Sequence, residues 1–224
     1  MKTLRAALTI FAKELRLEFR TRELLTATVV FVFIVLAFFS VSFDPTPAES
    51  RHYGPGLLWI AFLFAGSLML HPSFARERNN DTLDALRMAP IPAFAILAGK
   101  MAANLCFLLI VEALMVPIFG VFYNVSLVGI AGRLAFVFAL GSLGLVITGT
   151  VFSAISAHAR MRELLLPVLL LPILAPLLVA AVSATMTLFA DTPELDRTWV
   201  TFLAGFDIVF LTASWILADF LLEE

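Results

Sequence analysis

The chain has 224 residues, of which 61% are apolar and only 14% charged, with a mean hydropathy of +1.00. A soluble domain carries about 45–50% apolar and about 25% charged residues, so composition argues against a soluble enzyme, a disordered chain or a nucleic-acid binder. The formal net charge of −2 carries little information, and the single cysteine, Cys106, excludes a disulfide scaffold and a cysteine-based metal site.

Residues 2–20 are amphipathic at the helical period. Leu4, Leu8, Phe11, Leu15 and Phe19 fall on one stripe, and Lys2, Arg5, Lys13, Arg16 and Arg20 on another. A helix of this kind suits the headgroup layer, with its bases toward anionic lipid. A solvated helix that merely obeys the positive-inside rule is the alternative.

Six apolar runs follow, each near the roughly 20 residues that a membrane helix needs. They are Leu24–Phe43, Leu57–Ala75, Ala93–Tyr123, Leu127–Ala157, Leu164–Ala190 and Trp199–Leu222. The first exceeds a secretory h-region in length and reads as an uncleaved anchor. A breaker-rich loop from Asp44 to Gly56 separates runs one and two, and a short turn around Asn124 separates runs three and four. Run five is interrupted by Pro167, Pro172 and Pro176. Two outcomes fit it: a span ending near Leu178 followed by re-entrant segments, or one kinked, tilted helix.

Twelve of the fifteen Lys and Arg residues lie on one side of such a six-span layout, in the N-terminal segment, the loops after spans two and four, and, as Lys100, the start of run three. Only Arg51, Arg133 and Arg197 fall on the other side. By the positive-inside rule both termini are cytoplasmic. The expected fold is all-α, a single polytopic domain over 1–224, with residues 1–23 at the interface and 24–222 forming the bundle.

Chemistry-bearing motifs are sparse. Gly99-Lys100 is followed by Met101, and Phe94 stands where a phosphate loop needs its first glycine. No catalytic constellation or metal-ligand spacing appears, and His52, His71 and His158 each stand alone. Among the ionisable residues within spans, Glu112, Arg133 and Asp207 stand out. Counting 1.5 Å per residue puts Arg133 roughly 9 Å, Asp207 roughly 12 Å and Glu112 roughly 15 Å below the outer surface. Unpaired charge there costs at least about 2.5–3.5 kcal/mol, so Arg133 is expected to neutralise Glu112 or Asp207 in an intramembrane cluster. A purely structural pair, or a neutral acid facing the bundle, is the alternative. Small residues in run four (Gly141, Gly144, Gly149, Ser153) signal close helix packing. Trp59, Trp199 and Tyr123 lie at expected boundaries, as interfacial anchors do.

The polar stretch from Arg76 to Pro90 joins spans two and three on the cytoplasmic side. Asp81 suits an N-cap, with Asp84 three residues on, and Pro90 ends the element. Leu83 and Leu86 share a face. Such a short helix suits force transmission from a soluble motor; a well-behaved loop is the other reading.

The string Arg76–Lys100 resembles the cytoplasmic coupling segment of type-2 ABC exporter permeases. Three further strings resemble the CcmB branch, the haem exporter permeases of cytochrome c maturation: Glu14-Leu15-Arg16-Leu17-Glu18-Phe19-Arg20, Pro55-Gly56-Leu57-Leu58-Trp59-Ile60-Ala61, and the proline-bearing Leu165–Pro176. One departure is Asp81, with Asp84 after it, where relatives often carry Gly before Thr/Ser-Leu-Glu.

The resemblance implies a non-catalytic permease subunit in the bacterial inner membrane, energised by ATP on a CcmA-like partner. A second copy of the chain and CcmC-, CcmD- and CcmE-like proteins would complete the assembly. Haem would be the transported substrate rather than a bound cofactor, the ATPase cycle either moving haem or releasing a loaded carrier. Arg76, Glu77, Arg78, Asp81, Thr82, Leu83, Leu86 and Arg87 would contact the ATPase. An exporter for a drug, lipid or polysaccharide, and a non-transporting scaffold for haem-carrier assembly, are the alternative functions.

Overall fold

The computed structural model describes residues 2–43, 46–70, 73, 74, 77, 88–156 and 162–223. Among them run seven helices: α1 (Lys2–Thr21), α2 (Glu23–Phe43), α3 (Pro47–Leu70), α4 (Ala93–Phe122), α5 (Ala131–Ser156), α6 (Arg162–Phe189) and α7 (Arg197–Glu223). The described residues form no strand. Helices α2 to α7 are each long and apolar enough to cross a membrane. The chain is an all-α polytopic membrane protein, as composition and periodicity require.

α1 and α2 are separate helices because Arg22 takes a left-handed conformation (φ 56°). A non-glycine residue there costs roughly 1–2 kcal/mol, and Glu18 offsets it. Its carboxylate accepts from the Leu25 amide at 2.9 Å, satisfying an orphan donor in the first turn of α2.

α3 begins well before its apolar run. The expected loop to Gly56 ends instead at Thr46, because the Thr46 side chain caps the first turn of α3. The Glu49 amide donates to Thr46 Oγ1 at 3.3 Å, and Thr46 Oγ1 donates to Glu49 Oε2 at 3.2 Å. Pro47 suits the first helical position, and the helix continues through Pro55. α4 ends in a Schellman arrangement, with Asn124 left-handed (φ 52°) and the Val125 amide bonding to the Gly120 carbonyl at 3.0 Å. The turn expected at Asn124 is present.

α6 is one continuous helix across Pro172 and Pro176, so the re-entrant expectation is corrected. Each proline removes a single bond. Breaking the helix in hydrocarbon would strand many more backbone groups. Its 28 residues span about 42 Å, longer than a hydrocarbon core of about 30 Å, and a tilted span accommodates the excess.

α5 is the most enclosed of the spans, and its small residues account for that. Gly141 lies directly under the Trp59 indole, so that a methyl group there would overlap the ring. Trp59 is only 1% exposed and donates to Thr185 Oγ1 on α6 at 2.9 Å. Trp59 is therefore a core residue joining α3, α5 and α6, packed edge-on against Phe62 and Phe138, and not an interfacial anchor. Tyr123 is likewise buried, its hydroxyl donating to the Leu36 carbonyl at 3.1 Å.

Candidate functional site

Lys100 is the eighth residue of α4 and is 1% exposed. A buried ammonium group is tolerated only where its donors are met. Here Glu14 Oε1 on α1 at 3.0 Å and the Ser73 carbonyl at 2.7 Å accept from it, and Glu77 Oε2 pairs with its charge at 3.1 Å. The Phe74 ring centroid lies 4.8 Å away on another side. Lys13 on α1 closes the circuit, 2.6 Å from Glu77 Oε1 and 3.3 Å from Glu14 Oε1. The result is a ring of four alternating charges, Lys13–Glu77–Lys100–Glu14, with no net charge.

The ring binds three pieces of chain that are distant in sequence: α1, the segment after α3, and the first turns of α4. Backbone proximity makes this feasible. A Cβ at Gly99 would stand 2.7 Å from the Ala7 carbonyl oxygen and 2.8 Å from Ile10 Cβ, so α1 lies directly on α4. One turn beyond Lys100, Asn104 extends the polar column, its Nδ2 lying 3.3 Å from both Ser73 Oγ and Thr150 Oγ1 on α5.

Protonation follows from the pairing. Burial by itself would lower the Lys13 pKa, but the Glu77 and Glu14 carboxylates hold it above the ordinary 10.5. Burial likewise pushes Glu14 up, but the Lys100 and Lys13 ammonium groups prevail and hold it below the ordinary 4.5. Both residues are thus charged across the physiological range.

Of the residues expected to contact an ATPase, Glu77 is described: it is 4% exposed and its carboxylate faces Lys13 and Lys100. Arg76, Arg78, Asp81, Thr82, Leu83, Leu86 and Arg87 lie outside the described residues, as do His71 and His158. His52 is exposed, its ring 4.7 Å from that of Tyr53.

The expected intramembrane cluster does not form. Glu112 on α4 accepts a hydrogen bond from Ser142, while Asp207 on α7 lies against Gly144 and Leu177. Ser142 and Gly144 are two residues apart, about 200° around the α5 axis, so the two acids sit on opposite sides of that helix. Arg133 stays at the exposed N-terminal end of α5 and donates to the Pro193 carbonyl at 2.8 Å. A long guanidinium arm reaches a surface carbonyl more cheaply than it descends into hydrocarbon. Among the described residues no ion pair includes any of the three, and no group of metal-ligating side chains appears.

Lys13, Glu14 and Lys100 were missed as site residues. A lysine eight residues into an apolar helix demands a counter-charge, and Glu14 lies on the α1 face opposite its bases; these were the available signals.

Comparison with known sequences agrees with this architecture. The chain is 28% identical over 189 residues to heme exporter protein B of Pseudomonas aeruginosa, covering 83% of this chain and 82% of that one. It is 26% identical over 205 residues to heme exporter protein B of Paracoccus denitrificans, covering 92% and 93%. With heme exporter protein B of Bradyrhizobium diazoefficiens it shares 25% identity over 176 residues, 79% of each chain. The sequence model of the family described as CcmB protein matches residues 5–220. The chain belongs to the CcmB family.

Proposed function

We propose that this chain is the permease subunit of an ATP-driven export complex that delivers haem for c-type cytochrome assembly. The carrying observation is the family match along nearly the whole chain, 5–220, to a family whose relatives are named heme exporter protein B. A separate ATPase subunit, CcmA-like, supplies the energy, since this sequence lacks a phosphate loop. CcmC-, CcmD- and CcmE-like proteins and a second copy of the chain complete the assembly.

The bias of Lys and Arg supports an inner-membrane placement with both termini cytoplasmic. In that orientation the charge ring lies at the cytoplasmic end of the bundle. The stretch from Arg78 to Arg87, between the anchored Glu77 and α4, then receives the ATPase. A push on that stretch passes through Glu77 to Lys100 at the root of α4 and to Lys13 on α1, so the two helices move as one lever. Exposed Leu4, Leu8 and Phe19, beside exposed Arg5, Arg16 and Arg20, suit α1 to lying in the headgroup layer.

Deletion of the gene tests the reading, with covalent haem staining of c-type cytochromes as readout. Loss of staining is expected, restored by the intact chain but not when the partner ATPase carries a dead catalytic site. Normal cytochromes after deletion would assign the complex to another cargo, and rescue with the dead ATPase would make the chain a scaffold.

A further inference from the structure

α7 is, with α2, the least enclosed of the spans. It docks on α4, α5 and α6 through a narrow stripe whose buried side chains are Leu203, Asp207, Ser214 and Ala218. Asp207 is the ionisable member of the stripe and is 5% exposed. Gly144 makes room for it: a Cβ there would stand 2.6 Å from Asp207 Oδ1 and 2.9 Å from Leu177 Cδ1. The carboxyl group therefore lies in a notch between α5 and α6. Neither of its oxygens has a hydrogen-bond partner among the described residues.

No cation on the helices around it reaches this notch. α5 carries one charged residue, Arg133, eleven residues before Gly144 and so about 16 Å away along the axis. Its guanidinium goes to the Pro193 carbonyl instead. α6 carries only Arg162 and Glu163, at least fourteen residues before Leu177. On α4, Lys100 belongs to the charge ring and Glu112 is turned to Ser142. Along α7 itself, Arg197 lies ten residues away and Asp219 and Glu223 at least twelve. Burial within a span penalises an ionised carboxylate that has neither counter-charge nor donors, whereas a carboxylic acid carries no net charge. A proton is the ligand this notch accommodates.

We propose that Asp207 is a proton-binding site that governs the docking of α7: its acid form seats in the Gly144 notch, and its ionised form leaves it. The proton passes to water admitted as the seam between α5 and α7 opens. Arg133 holds the loop ahead of α7 at Pro193, so release opens the other end of that seam, where Ile155 and Ile216 are exposed.

Infrared spectroscopy of the full chain in nanodiscs tests the first part. At about pH 6 an aspartate in water, with a pKa of about 3.9, is ionised, so a carboxylic-acid carbonyl band at that pH reports a held proton. The wild type should show a band that Asp207→Asn removes. Carboxyl-labelled aspartate should shift the same band, which separates it from any band of Glu112 without a mutation. Spin labels on Ile155→Cys and Ile216→Cys, in a Cys106→Ala background, test the second part. Their separation should increase as the band fades with rising pH, and Asp207→Asn should keep the short distance throughout. The proposal would be overturned by the absence of the band, by a band that survives Asp207→Asn, or by one undiminished up to the pH at which the chain unfolds. A distance that stays fixed while the band fades, or the same lengthening in Asp207→Asn, would overturn it equally.

Discussion

Replacing Lys100 by methionine keeps the length of the side chain and deletes its charge. Two carboxylates, Glu14 and Glu77, then share Lys13 alone, and the Ser73 carbonyl loses a 2.7 Å donor. Removing one partner of a buried ion pair costs about 3–5 kcal/mol. At about 2–4 °C per kcal/mol for a chain of this size, the melting temperature of the detergent-solubilised protein should fall by on the order of 10 °C. Lys13→Met removes a cation paired with the same two carboxylates but 47% exposed, where water screens the pair and the median loss is about 0–1 kcal/mol. Adding Glu14→Gln to Lys100→Met leaves one carboxylate facing one lysine and should recover a good part of the loss. Heating followed by size-exclusion chromatography reads all three variants. A Lys100→Met protein that melts with the wild type, or one no worse than Lys13→Met, would refute the ring as the fastening of α1.

Two further outcomes follow from the same geometry. Glu14 has a lowered pKa, so its contribution is present above 4.5 and is lost as pH falls below that value; Lys13 has a raised pKa, so its contribution is present below 10.5 and is lost as pH rises beyond it. The protection factor of the α1 amides, exchange divided by its intrinsic rate at each pH, should therefore be high and flat between these limits and fall outside both, and a steady change in protection across neutral pH would contradict the assignment. Gly99→Ala places a methyl group against the α1 backbone at Ala7, which cannot yield as a side chain does. A loss of about 1–3 kcal/mol, with faster proteolysis of α1 and unchanged membrane insertion, is expected; an unaltered melting temperature would mean that α1 does not rest on Gly99.

Much of the bundle is legible from composition because hydrocarbon imposes a simple rule. A run of about 20 apolar residues has few alternatives to a helix, and five of the six span starts follow from it closely. The exception, α3, starts ten residues ahead of its apolar run, because capping chemistry at Thr46 and Glu49 and not hydrophobicity decides where a helix begins. The three prolines of α6 suggest interruption when each is judged by its own lost bond, whereas the fate of the helix depends on every other group that would be stranded. Site residues are harder to read. Which acid meets which base depends on helix rotation, and a rotation of 200° between Ser142 and Gly144 is enough to separate Glu112 from Asp207. Glu77 reads in the sequence as one more charge of a polar loop, yet it faces the protein.

α1 also sorts its charges by face. Its acids, Glu14 and Glu18, turn toward the bundle, one into the ring and the other onto the α2 amide, while Arg5, Arg16 and Arg20 are left exposed. The helix therefore presents more positive potential to its surroundings than its summed charge suggests. Because the neutral ring consumes equal numbers of each sign, that potential survives the fastening. Raising ionic strength should weaken the grip of α1 on an anionic bilayer long before it loosens the buried half of its attachment to α4.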